Sequence, residues 1–187
     1  MKKTIAILMV LVLAGVGLFA AVDSTPKAFD VSTNVQGINK MIVSTTKFTG
    51  NSPGTFDSLT AYAGLTIGGN GTAVDPNGSY VLPAYLSTIS NSRNGYTVTM
   101  GATAMKSAVA VESVHTYINY SVSCNGKSVS TNGATPVTAE EVYTVGTQAG
   151  ISSKSEQITI QVNKAEFDAA VEGAYTGTVT FTYTANT

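Results

Sequence analysis

His115 is the only histidine in the chain, so a histidine metal centre or a Ser-His-Asp relay would have to be built on that one ring. No second ligand or partner stands at a recognisable spacing from it, and its place beside Val114 and Thr116 reads as a strand end at the surface. Carboxylates are the next chemistry to weigh. A glycosidase needs two of them across a cleft, and the candidates are Glu140-Glu141 and the group Glu166, Asp168 and Glu172. Neighbours on a strand point to opposite faces, and the second group suits the solvated side of a short helix. Lys106-Ser107 and Ser153-Lys154-Ser155 have the residue types of a Ser-Lys dyad, but serine is so common here that such neighbours arise by chance. Gly68-Gly-Asn-Gly71 is followed by neither a helix start nor a lysine, so it does not make a phosphate cradle. Asp75 and Asn77 supply one carboxylate and one amide, short of a calcium site. No catalytic residue, metal ligand or cofactor follows, and the chain is expected not to be an enzyme.

Binding chemistry leaves a little more. Nine tyrosines and no tryptophan keep carbohydrate recognition open, since Tyr presents a stacking face and a hydroxyl together. Tyr96, Tyr120, Tyr175 and Tyr183 fall on apolar faces, which leaves Tyr117 and Tyr143 as the surface-binding candidates. Cys124 is the single cysteine, so no internal disulfide can form. In the alternation Ile118, Tyr120, Val122, Cys124 the thiol sits on the apolar face, where a buried, inert thiol is expected.

The start of the chain points to export. Lys2 and Lys3 precede an uncharged apolar run from Ile5 to Phe19, so residues 1–20 read as a secretory signal peptide cut after Ala20 or Ala21. The run is short for a membrane span, and Asp23 stands where a positive stop would be. Residues 21–187 then form one domain, and no membrane insertion is expected after cleavage. Removing Lys2 and Lys3 from ten basic residues leaves eight, scattered singly against eleven acidic ones. Nucleic acid is therefore not an expected partner. Ser and Thr at roughly a quarter of the exported chain, with few charges, favour an all-β fold.

The elements follow from alternation. Phe29, Val31, Thr33 and Val35 suggest a first strand, with Ile38 to Val43 after Gly37. Residues 49–57 and 68–79 read as loops, the second with a turn at Asp75-Pro-Asn-Gly78. Leu59 to Ile67 and Tyr80 to Ser90 read as short strands, Pro83 placing its stretch at a strand start or a sheet edge. Asn94-Gly95 and Asn125-Gly126 each predict a hairpin. Residues 131–140 read as loop, Val142 to Val145 and Glu156 to Val162 as strands, and Asn163 to Glu172 as one or two helical turns. The chain closes on Tyr175 to Thr184, with Thr at every even position. Short strands and Asn-Gly turns together predict an antiparallel immunoglobulin-like β-sandwich with Greek-key connections and at most one or two short helices.

Three pieces stand in order: Ser90-Asn91 before Gly95-Tyr-Thr-Val-Thr-Met100, then Tyr117 to Gly126, then Gly173-Ala-Tyr-Thr-Gly-Thr-Val-Thr-Phe-Thr182. Together they resemble the secreted subunits of bacterial pili and the related spore-coat-U-like surface proteins. Those relatives close on Gly-x-Tyr-x-x-x-Val-x-Phe, matched here by Gly173, Tyr175, Val179 and Phe181. The likeness covers roughly the second half of the exported chain, and any Gly-capped alternating strand meets its motifs. It implies a sandwich of immunoglobulin type and, often, a fold completed by a strand donated from a neighbouring copy. Residues 21–35 are then the donor candidate, and the strands for self-association carry Phe29, Val31 and Val35 on one side and Val179, Phe181 and Tyr183 on the other. The resulting expectation is an exported, non-enzymatic structural or adhesive surface subunit, with other copies of itself as partners. A small outer-membrane β-barrel, a secreted carbohydrate-binding module and a secreted hydrolase are the alternatives.

Overall fold

The computed structural model describes residues 30–67, 78–110 and 114–187. The predicted signal peptide, Phe29, the Gly68-Gly-Asn-Gly71 stretch, and Asp75 and Asn77 lie outside them. Among the described residues, eleven strands form in antiparallel open sheets, with two short helices between them.

The first sheet is built from β1 (Asn39–Ser44), β2 (Ser79–Ser90), β6 (Tyr120–Cys124), β7 (Lys127–Ser130) and β9 (Ser152–Val162), in the order β1-β2-β9-β6-β7. The second joins β3 (Tyr96–Ala102), β8 (Val137–Val145) and β11 (Val179–Ala185), in the order β11-β3-β8. The third is small: β4 (Met105–Ser107), β5 (Tyr117–Ile118) and β10 (Tyr175–Thr176), in the order β10-β4-β5. It continues the second, because β4 follows β3 and β10 precedes β11 within a few residues. The Thr103 amide donates to the Thr178 carbonyl at the junction (2.9 Å).

Period two decides which side chains meet. Tyr80, Leu82, Ala84 and Leu86 of β2 point to the same core as Tyr96, Val98, Met100 and Ala102 of β3, and Tyr120, Val122 and Cys124 of β6 join them. On the other face of β2, Ile89 packs under Phe48 and Phe56 in a smaller core. Phe56 arrives on helix α1 (Pro53–Asp57), which Ser52 caps and Pro53 starts, and its ring meets Phe48 edge-on at 5.0 Å. Helix α2 (Lys164–Asp168) is a single turn capped by Asn163.

Several expectations are corrected. Residues 30–35 form no strand and are exposed, since an alternating segment without a partner strand satisfies none of its ladder bonds. The Asn94-Gly95 turn forms, with the Gly95 amide donating to the Ser92 carbonyl, but it is no hairpin. Its flanks β2 and β3 belong to different sheets, so the turn is a corner between them. Asn125-Gly126 is the hairpin, joining β6 to β7 with Cys124 opposite Lys127 and positive φ at both turn residues. Leu59 to Ile67 pairs only at isolated positions, such as Ala61 opposite Ser44, and the loop expected at 131–140 already contains the first half of β8. Pro83 lies inside β2, an interior strand, where the β2–β9 register slips between Val81 and Tyr85 and β1 does not reach. At the bulge, and beyond the reach of the short neighbour, no ladder bond calls for the N–H that Pro83 lacks.

Candidate functional site

Beside the last strand lies an open apolar groove of about 800 Å³. One bank runs from β10 through Gly177 into β11, with Tyr175, Gly177, Val179 and Phe181 facing it; among the described residues β11 is an edge strand, hydrogen-bonded to β3 alone within its sheet. The other bank is the strap Tyr62–Ile67, which leaves β1 after the Tyr62 amide donates to the Val43 carbonyl (2.9 Å). Leu82 and Ala84 of β2 and Ile158 and Ile160 of β9 make the floor. Gly177 keeps the bank low: a Cβ there would stand 2.7 Å from the Thr103 carbonyl oxygen and 3.1 Å from the Tyr120 ring.

Two of the tyrosine hydroxyls around the groove are already engaged. Tyr175 shares a hydrogen bond with the Thr116 hydroxyl (2.8 Å), and Tyr120 donates to the Thr178 carbonyl (3.3 Å). Burial pushes the Tyr120 hydroxyl up to about 12, and it raises Tyr62 as well. Such walls offer area to apolar side chains and an unpaired strand edge to a backbone, with no convergent set of acids, bases or nucleophiles.

Beyond Phe181 the groove closes. Tyr183, the next inward residue of β11, stacks on Tyr96 at 4.7 Å and donates its hydroxyl toward Asn39 Oδ1 (2.9 Å), with Ser90 Oγ at 3.1 Å. The pair Val31 and Val35, by contrast, stand 86% and 77% exposed on the segment ahead of β1.

The other expected site residues fall elsewhere. Tyr143 is no surface residue: it is 5% exposed, with its hydroxyl 3.1 Å from Thr88 Oγ1. A register slip between Val98 and Thr99 turns both Val142 and Tyr143 inward. Tyr117 is half-buried on β5, so the structure does not bring the two together as a stacking platform. His115 is half-buried, and its Nδ1 lies 2.8 Å from the Ser107 carbonyl oxygen, a contact that no spacing in the sequence signals. Glu140 and Glu141 are both exposed. Glu166 is more than solvated surface, because its carboxylate accepts from the Asn119 amide (2.6 Å) and side chain (3.1 Å) and ties α2 to the start of β6. Cys124 is buried as expected, and burial pushes its thiol up to about 12. Among the described residues no group of three or more His, Cys, Asp or Glu could hold a metal ion. Compared with known proteins, the chain matches no family model and no curated protein.

Proposed function

We propose that the chain is an exported, non-enzymatic structural or adhesive subunit of the bacterial surface, an immunoglobulin-like sandwich that joins copies of itself by strand addition at a sheet edge. The open apolar groove beside edge strand β11 carries the reading. Its complement exists in the same chain, in Val31 and Val35 at even spacing on a segment that forms no strand of its own. The sandwich is supported by the shared core between the sheets, and the Greek-key path by β9 returning to lie between β2 and β6. The barrel alternative fits less well: the sheets are open, and large apolar side chains fill their inner faces.

The test is assembly. Cells are fractionated, and the purified protein is followed by light scattering and electron microscopy. Concentration-dependent filaments or ladders that vanish in the double variant Val31→Asp, Val35→Asp are the expected result. A protein extracted only by detergent, or one that stays monomeric at every concentration, sinks the proposal.

A further inference from the structure

We infer that Tyr183 is a positioning residue that sets the register of the strand taken up by this groove, by acting as a stop at its closed end. The inference rests on the proposed strand addition and adds where the incoming strand must end. On β10 and β11 the inward positions Tyr175, Gly177, Val179 and Phe181 face the groove, and the series breaks at Tyr183. Its ring lies against Tyr96, 4.7 Å between centroids with planes 24° apart. Its hydroxyl reaches Asn39 at the start of β1 and Ser90 at the end of β2. Ser90 Oγ in turn donates to Asn39 Oδ1 (2.9 Å), so the contacts knot two sheets together across the end of the groove.

A strand beside residues 175–181 spans seven residues with four inward positions, about 20 Å at roughly 3.3 Å per residue. The segment 29–35 has the same span and phase, with Phe29, Val31, Thr33 and Val35 on one side. After it come Gln36 and Gly37, which supply no further inward apolar side chain. That match of length selects this segment of a second copy as the occupant. With Tyr183 in place, a strand that runs on past Phe181 finds no further wall to cover.

Three peptides test this by titration: residues 29–35, and that sequence extended by Thr-Val-Thr-Val at one end or the other. Against the natural protein the three are expected to bind equally. Against Tyr183→Ala, one of the extended peptides is expected to bind about tenfold tighter, the worth of one more buried valine. The double variant Asn39→Ala, Ser90→Ala, which removes both hydroxyl contacts and leaves the ring held by its stack alone, is expected to shift the preference the same way and covers the case in which Tyr183→Ala does not fold. A natural protein that already prefers a longer peptide, or variants with the natural length dependence, overturns the stop while leaving strand addition standing. If none of the peptides binds the natural protein, strand addition itself fails, and the stop with it.

Discussion

Thr88 is a small residue with a large structural duty. Its hydroxyl, fully buried on β2, meets the hydroxyls of Tyr96 on β3 (2.8 Å) and Tyr143 on β8 (3.1 Å). Replacing it by Val keeps the shape but strands two buried phenols, which costs about 1–3 kcal/mol. Urea unfolding of Thr88→Val, Tyr143→Phe and the double variant is expected to show strong coupling, the second change costing less once the first is made. Burial of the same region also sets an alkaline limit. Cys124 and Tyr120 rise from 9.0 and 10.0 to about 12, so above pH 9 the unfolded chain begins to lose protons that the folded chain keeps. Fewer protons on the unfolded state mean stability falls as pH rises. The melting temperature is expected to be flat near neutrality and to drop between pH 9 and 12, with the lower part of the drop reduced in Cys124→Ala. At this scale the sequence was legible where alternation is regular, as at Tyr96, Tyr120 and Cys124. It misled at Tyr143, because a bulge is a property of two strands in register and neither strand's own residues declare it.

The two Asn-Gly pairs show how an identical local signal serves different elements. Gly126 turns a hairpin in open space: no atom lies within 4 Å of the place a Cβ would take, and its φ is +72°. Gly95 turns a corner from one sheet to another at φ +80°, and a Cβ there would collide with the carbonyl oxygens of Val145 and Gly146. Gly126→Ala is expected to cost about 1–2 kcal/mol, the strain of a left-handed backbone with a side chain. Gly95→Ala carries that strain plus an overlap with main chain that cannot move aside, and is expected to cost about 1–3 kcal/mol more. Denaturant midpoints of the two variants check the order, and equal costs would contradict the corner geometry. The turn itself was readable, since Asn and Gly tolerate positive φ; what it connects was not, because pairing depends on strands far away in the chain. The same holds for Leu59 to Ile67. Its apolar spacing suits a strand, yet Tyr62, Leu65 and Ile67 pack against the core from a strap that pairs only at isolated positions.

For the whole molecule, the decisive relation is between two different surfaces of one chain. Val31 and Val35 stand ahead of β1, and the groove lies against Val179 and Phe181 of β11. Under the proposed strand addition the contact joins unlike patches and is heterologous, so it would propagate from copy to copy and close only if the rotation formed a ring. It also links stability to assembly, because a strand that binds the folded subunit and not the unfolded chain shifts the folding equilibrium. A free peptide of residues 29–35 at a hundredfold excess over its dissociation constant adds about 2.7 kcal/mol, which raises the melting temperature by about 5–10 °C for a domain of this size. The peptide with Asp at the positions of Val31 and Val35 is expected to give no shift, since burying two carboxylates in apolar walls costs more than the strand edge returns. If copies join by the proposed strand addition, the peptide competes with the segment of a neighbouring copy, so the concentration that raises the melting temperature should shorten the filaments. Stabilisation without shortening would mean that the groove takes a strand while the filament is held elsewhere.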